Sequence, residues 1–354
     1  MHARNAKEAN EHLVAWRADL ESPPGRTGHQ ERLSAVAEHW LDGKLATIKA
    51  STADHYGRVL ADYVIPSLGD IFIDALERTD IERWRDEQIG KVRPATINAR
   101  LRVLKTMLAD ESDERGLRDA AARVKSVPRI GKGRGPKRTV RETDLPRCPH
   151  NRLAPIELAK VLAVLREDAP TWFPMLATMA LTGARFGEVS ALRWEHVDFA
   201  SGTIRIEESQ WRGIVGSTKT SDVRLLPLEP ELAKVLGAHR KKLLCDQHPG
   251  LASGLVFPST VGKPITGAAT LRKPLAAAYE KAGIGRWVSP HGFRRSLNNA
   301  TRQTASGVVV RALTGHVTEE MTEHYSTVEM DEKRAAIRGA LGPVLTVLAG
   351  DVET

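Results

Sequence analysis

Residues 126–150, SVPRIGKGRGPKRTVRETDLPRCPH, cut the chain with a stretch rich in proline, glycine and basic residues and without any apolar period. Such a composition cannot bury a helix or strand face, so it reads as a linker, and any core must form on either side of it. Fully extended it would span roughly 80 Å. It could pass around a thick partner with Lys132, Arg134, Lys137 and Arg138 against a negative surface; a plain solvated connector is the simpler alternative. At 354 residues and 41% apolar content, the chain is long enough for two cores.

The block before the linker, about 30–125, reads as helical throughout. In ATINARLRVLKTMLADE, Ile97, Leu101, Leu104 and Leu108 recur at helical spacing and make one apolar stripe. Thr96, Asn98, Arg100, Arg102 and Lys105 fall around the other sides, where they are either a solvated face or contacts to a polyanion. A second helix is expected through His55, Tyr56 and Leu60, stopped by Pro66 and turned at Gly69. A third should open at Thr79, a capping residue with Glu82 three positions on. Residues 1–29 hold one helix or a frayed tail.

After Asn151 helical segments dominate, and two short β-rich runs, GTIRIEES and VRLLPL, are expected to bracket the turn GSTKTSD as a hairpin. Beyond residue 330, Ile337, Leu341, Val344, Leu345 and Leu348 form another apolar stripe, which Gly342 and Pro343 should kink or divide.

A formal charge of +8 and a pI near 9.5 favour a nucleic acid partner over a membrane, because no cationic anchor or lipidation motif appears. The N-terminus mixes charges and lacks the apolar run of a signal peptide, so a cytoplasmic protein is expected. Cys148 and Cys245 are too few for a disulfide framework, and their neighbouring histidines do not match a usual zinc-finger spacing.

Six residues of the second domain are suited to a phosphate. Arg185 lies in TGARFGE, where Glu188 can pair with and orient a guanidinium. Lys219 sits in the expected hairpin turn. His291 and Arg294 of HGFRR share a helix face, and His316 and Tyr325 follow in LTGHVTEEMTEHYS. Taken singly, each has a plainer reading as a structural ion pair, a solvated lysine or a packed ring. Together they are what attack on a phosphodiester requires. Arginines fork onto the non-bridging oxygens, histidines donate or accept protons, a lysine protonates the leaving oxygen, and a tyrosine supplies the nucleophile. The chain carries no GxxxxGK[ST], no HExxH and no clustered carboxylates for magnesium, so neither ATP nor a metal cofactor is expected.

These motifs, in this order, resemble those of the tyrosine recombinases of the phage integrase family. TGARFGEVSALRW is similar to the first-arginine motif, TKTSDVRLLPL to the hairpin-lysine motif, HGFRRS to the His-x-x-Arg motif, and LTGHVTEEMTEHYS to the final histidine and tyrosine motif. The helical block at 30–125 is similar to the family's core-binding domain, with less specific motifs. The resemblance implies a mainly α fold with a small β-sheet or hairpin in the catalytic domain, and two domains, 30–125 and 151–330, forming a C-shaped clamp on duplex DNA. The apolar stripe of the C-terminal tail, 331–354, could fill its own domain's core or a pocket on the next subunit, and the resemblance favours exchange between subunits.

By the same resemblance Arg185 and Arg294 clamp the phosphate, His291 and His316 handle protons or stabilise the transition state, Lys219 is the general acid and Tyr325 the nucleophile. Glu188 is accessory. The implied activity is site-specific recombination through a 3′-phosphotyrosine, without cofactors, by a homotetramer on synapsed sites and with room for an accessory directionality factor. A type IB topoisomerase and a non-catalytic DNA-binding regulator are the alternatives.

There are departures. Gly292 and Phe293 stand where the family more often has an acidic residue and leucine, Arg295 follows where a second histidine is common, and the leucine-glycine before the late histidine is split as LTGH. These concern flanking packing rather than the six chemical positions. Arg224 is a poorer candidate than Lys219 for the lysine position, because it lies in a strand. A further arm-site-binding domain is not expected, since residues 1–28 are short and not β-rich.

Overall fold

The computed structural model describes residues 31–128, 146, 148, 150–217, 223–302, 304–314 and 330–350. The chain divides into two compact units, Met1–Val140 and Arg141–Thr354.

The first unit is helical. α1 (Leu33–Leu45), α2 (Ala50–Val59), α3 (Ile65–Leu68), α4 (Arg78–Asp86) and α5 (Pro94–Arg115) enclose one apolar core. The stripe expected on α5 is there: Ile97, Leu101, Leu104 and Leu108 are all buried, as are Val103 and Met107. Pro66 does not stop the helix before it. A π-helical turn, Leu60–Val64, joins α2 to α3, and Pro66 follows it as the second residue of α3. The chain turns only after Leu68, at Gly69, where a Cβ would sit 2.6 Å from the Ile65 carbonyl oxygen.

α4 also begins differently from expectation. Glu77 is the capping position and its backbone N–H donates to Asp80 Oδ2 at 3.1 Å, while Thr79 lies inside the first turn and donates to Glu77 Oε2 at 3.2 Å. The extended backbone at Glu77 starts the helix early enough that Asp80, not Glu82, is three residues from the cap.

In the second unit α6 (Pro155–Asp168), α7 (Phe173–Thr182) and α8 (Phe186–Ala191) lead into five short strands. These are β1 (Val197–Asp198), β2 (Thr203–Ile206), β3 (Glu208–Trp211), β4 (Ile214–Ser217) and β5 (Arg224–Pro227). The single hairpin read from the sequence resolves into two antiparallel sheets, β1-β2-β5 and β3-β4. GTIRIEES contains β2 and the first half of β3, and β5 pairs with β2 through Ile204 opposite Leu226. The hairpin that does form is β3–β4, closed by Arg212 and Gly213, both with positive φ, as a tight two-residue loop requires. The Lys219 segment lies after it, between β4 and β5.

α9 (Pro230–Cys245), α10 (Arg272–Lys281), α11 (Pro290–Thr301), α12 (Gly307–Thr314) and α13 (Met330–Ala349) complete the unit. The unit begins before Asn151: Cys148 N–H donates to Trp287 O at 3.0 Å and Trp287 N–H to Pro146 O at 2.7 Å. It also runs on past residue 330. Ile337, Leu341, Val344, Leu345 and Leu348, expected to be lent to a neighbouring subunit, are buried in the core of their own domain.

Polar ties secure the same helix. Lys333 Nζ donates to Leu225 O at 3.0 Å, Arg334 Nη2 to Gly202 O at 3.0 Å, and Arg338 Nε lies 2.9 Å from Glu229 Oε2. The kink falls at Leu341 (φ −124°, ψ 26°), just before Gly342–Pro343, and both halves stay on the core. Ile337→Ala should therefore destabilise the isolated protein by about 2–5 kcal/mol, read as a lower urea midpoint in a dilute monomer.

Candidate active site

α7 is buried along its whole length and ends at Gly183, whose φ of 62° needs glycine. A Cβ there would also meet Leu297 Cδ2 at 2.9 Å. This tight end points the Gly183 carbonyl at Arg294, whose Nη1 donates to it at 2.9 Å. Two residues on, Arg185 occupies the cap of α8. Its backbone N–H donates to Glu188 Oε2 and its Nη1 to Glu188 Oε1, both at 2.8 Å. Gly187 lets α8 lie directly on β3, since a Cβ would come within 2.7 Å of Gln210 O and Ser209 Oγ. The sequence TGARFGE thus encodes a helix stop, a capping arginine, a contact glycine and the acid that orients the arginine.

HGFRR begins α11. Asn151 brackets its cap: the Ser289 N–H donates to Asn151 Oδ1 and Asn151 Nδ2 donates to Ser289 Oγ, each at 2.8 Å. Gly292 packs so closely that a Cβ would stand 2.8 Å from Asn151 O, and Phe293 is fully buried. The two departures within this motif are therefore packing residues of this chain's own α11 start.

Arg294 is 2% exposed. Its Nε and Nη2 are buried, and among the described residues neither has a hydrogen-bond partner. Burial, then the Arg185 and Arg224 charges, lower its pKa to about 10 against the opposing pull of Glu188. A buried guanidinium with two unmatched donors is costly unless an anion completes it. His291, beside it at the solvent edge, has its pKa lowered by partial desolvation and then by Arg295, Arg294 and Arg185, so the ring is neutral at pH 7. Glu188, 2% exposed, is pushed up by burial, but Arg224 and the Arg185 backbone and side chain outweigh this and hold it ionised.

Arg224, set aside on sequence grounds because it lies in a strand, belongs to this cluster: its Nη2 pairs with Glu188 Oε2. The signal that could have found it is period-two alternation, which puts Arg224 on the same face as the fully buried Leu226.

The structure thus brings Arg185, Glu188, His291 and Arg294 together. Lys219, His316 and Tyr325 lie outside the described residues, as do Lys132, Arg134, Lys137 and Arg138. On α5, Thr96 and Arg102 are exposed and Lys105 is half-buried. Asn98 is occupied with the chain itself, donating to Val127 O at 2.9 Å and accepting from Val127 N–H at 2.8 Å. The Arg100 guanidinium stacks 3.4 Å from the Tyr63 ring centroid and donates to Gln88 Oε1 at 2.7 Å. Among the described residues no group of three or more His, Cys, Asp or Glu could hold a metal ion, and no helix is long and apolar enough to cross a membrane.

The profile of the phage integrase family matches residues 152–332, and that of the phage integrase N-terminal SAM-like domain matches residues 32–89. An integrase of Streptomyces ambofaciens is 27% identical over 279 residues, covering 73% of this chain and 66% of the relative. The prophage integrase IntF of Escherichia coli (strain K12) is 26% identical over 198 residues, covering 51% of this chain and 38% of the relative. The chain therefore spans less than two thirds of the length of either.

Among solved structures, the Tn1549 transposon integrase in complex with a circular intermediate DNA matches with a TM-score of 0.64 at 18% identity, covering 86% of this chain and 98% of that one. A lambda integrase dimer bound to a COC′ core site matches with a TM-score of 0.59 at 16% identity, covering 84% and 99%. A lambda integrase tetramer bound to a Holliday junction matches with a TM-score of 0.56 at 15% identity, covering 92% and 91%. Identities this low speak for a shared fold, and the fold agrees with the matched profiles, which together cover more than half of the sequence. The chain belongs to the phage integrase family.

Proposed function

We propose that this protein is a site-specific DNA recombinase that cleaves and rejoins strands through a 3′-phosphotyrosine. The observation that carries the reading is Arg294, a buried guanidinium whose Nε and Nη2 lack partners among the described residues, next to Arg185 and a neutral His291. A phosphodiester would supply the missing acceptors, and its pentacoordinate transition state, with one more negative charge, would be held more tightly than the ground state.

In this scheme Tyr325 Oη attacks the scissile phosphorus and the P–O5′ bond breaks. Lys219 delivers a proton to the departing oxygen, and of His291 and His316 one accepts the tyrosine proton while the other donates to the phosphate. One phosphodiester replaces another, so the bond energy is kept for rejoining and no ATP is consumed. Attack by the 5′-hydroxyl of a second site completes strand exchange. The substrate is double-stranded DNA carrying recombination sites, and the working assembly is a homotetramer on two synapsed duplexes through a Holliday junction. An accessory directionality factor fits the same scheme, and the place of action is the bacterial cytoplasm. The basic residues 132–138 and the exposed Thr96 and Arg102 of α5 are the surfaces proposed to meet DNA, through phosphate contacts that weaken with salt.

The test is a nicked duplex carrying the attachment sequence that flanks the gene, 5′-end-labelled on the cleaved strand. The expected result is a protein–DNA adduct stable to SDS, with the label on the Tyr325 peptide. Relaxation of any supercoiled plasmid by dilute monomer would favour a topoisomerase instead, and binding without an adduct would favour a regulator.

A further inference from the structure

α11 is strapped along one face by Asn151, Arg152 and Leu153. Asn151 Oδ1 accepts from the Ser289 N–H and Asn151 Nδ2 donates to Ser289 Oγ, each at 2.8 Å. A Cβ on Gly292 would stand 2.8 Å from Asn151 O. The Leu153 N–H donates to Ser296 Oγ at 2.8 Å, and Arg152 Nη1 donates to Asn299 Oδ1. Ser289 is the cap of α11, and Gly292, Ser296 and Asn299 follow it three, seven and ten positions on, the spacing of a single helix face. His291 and Arg294 fall on another face, beside Arg185.

Helix stability alone does not require this arrangement. A serine at a cap ordinarily turns its hydroxyl back onto the N–H groups of the first turn. The Ser289 side chain makes no such bond, and its Oγ takes Asn151 Nδ2 instead. The cap is tied to a neighbouring segment rather than to its own helix, which fixes where α11 begins within the domain. Asn151 has a φ of 46°, a left-handed backbone that asparagine and glycine adopt most readily. The chain on either side is fastened as well. Cys148 N–H donates to Trp287 O before it, and after it the Ala154 N–H donates to Glu157, which also takes Arg286 Nη2. His291 is the second residue of α11, in the first turn, where few intrahelical hydrogen bonds hold the backbone. Its ring, and Arg294 one turn on, therefore take their place from the cap.

We propose that Asn151 is a positioning residue for strand cleavage: by gripping the Ser289 cap it sets the start of α11, and with it His291 and Arg294, against the scissile phosphate. This rests on the recombinase reading above. Asn151 touches no reacting atom and forms no bond in the reaction. A displacement of about 1 Å at a reacting group can lower a rate by about 10²-fold, so loss of the grip should tell more strongly on cleavage than on folding.

The experiment compares wild type, Asn151→Gly, Asn151→Asp and Leu236→Ala on the nicked duplex. Single-turnover cleavage is measured at saturating DNA, so that altered affinity does not enter, and well below each melting temperature. Glycine keeps the backbone conformation and removes both side-chain bonds. Aspartate keeps an acceptor for the Ser289 N–H, and the Ser289 hydroxyl can turn to donate to it. Leu236, fully buried on α9, reports lost stability by itself. Asn151→Gly should bind DNA as wild type does and cleave at least about tenfold more slowly. Asn151→Asp should recover most of the rate, and Leu236→Ala should cleave as wild type does despite a lower melting temperature. Wild-type cleavage by Asn151→Gly would overturn the proposal, as would an equal loss in Leu236→Ala or no recovery with Asn151→Asp. Should Asn151→Gly not fold, Ser289→Ala removes only the Nδ2 bond and carries the same comparison. Its loss should be smaller and in the same direction, and wild-type cleavage by it would overturn the proposal.

A second readout does not depend on cleavage. Desolvation, then Arg295, Arg294 and Arg185, hold the His291 ring below the ordinary histidine pKa. In Asn151→Gly the loosened first turn should admit water to the ring and raise its NMR titration toward that ordinary value, while Leu236→Ala leaves it low. The resonance is assigned by its loss in His291→Gln. An unchanged titration in Asn151→Gly overturns the hold of this cap on His291. No adduct with wild type, alongside a raised titration in Asn151→Gly, refutes the recombinase reading and leaves that hold as assigned.

Discussion

Tyr325→Phe should bind attachment-site DNA with wild-type affinity and yield no covalent adduct, a loss of at least about 10⁴-fold in cleavage, on the scale seen when a nucleophile is removed. The change deletes one oxygen and leaves a ring of the same shape. The Arg185, Glu188, Arg294 cluster is built by α7, α8, α11 and β5 without it. Binding, which draws on phosphate contacts over a wide surface, should therefore survive. The measurement is paired: a gel-shift titration for affinity and an SDS gel of the nicked duplex for the adduct. A labelled adduct formed by this variant would place the nucleophile on another residue, and a parallel loss of binding would mean that Tyr325 supports the fold.

Arg294→Met should separate function from stability. Cleavage should fall by at least about 10²-fold, as for loss of one preorganised donor to a developing oxyanion. The melting temperature, by contrast, should hold or rise. This guanidinium is 2% exposed, two of its donors have no partner among the described residues, and burial and the neighbouring arginines hold its pKa down at about 10. Methionine has a similar reach and no desolvation cost, and replacing buried charge by apolar volume is often neutral or stabilising. The Gly183 carbonyl loses its Arg294 donor, which subtracts about 1 kcal/mol. Thermal melts and single-turnover cleavage on one preparation decide the matter. A sharply lower melting temperature would make Arg294 a structural residue, and retained cleavage would remove it from the phosphate site.

Residues whose role depends on near neighbours were legible before any fold was known. The α5 stripe of Ile97, Leu101, Leu104 and Leu108 is a matter of helical period, and all four are buried. Glu188 was read as the partner of Arg185 because an acid three residues on is within reach of the guanidinium, and the two meet at 2.8 Å. The expected break near Gly342–Pro343 appears as the kink at Leu341, since proline cannot continue a helix unperturbed.

What the sequence by itself determined, then, was local: helical periods, the acid beside Arg185, the bends at Gly69 and Gly342–Pro343, and the order of the chemical residues along it. Tertiary structure decided which distant groups share a charge, a pairing or a core. Arg224 looked like an ordinary strand residue until β5 was laid beside β2 and its side chain reached Glu188, 36 positions away. Asn98 looked free on its helix until the chain leaving α5 returned Val127 to it. The stripe from Ile337 to Leu348 could have served a neighbour's core or its own, and it packs in its own. The reason is physical: a helical period or a cap depends on groups within a turn of one another, whereas burial and ion pairing depend on whichever surfaces meet once the chain has closed on itself.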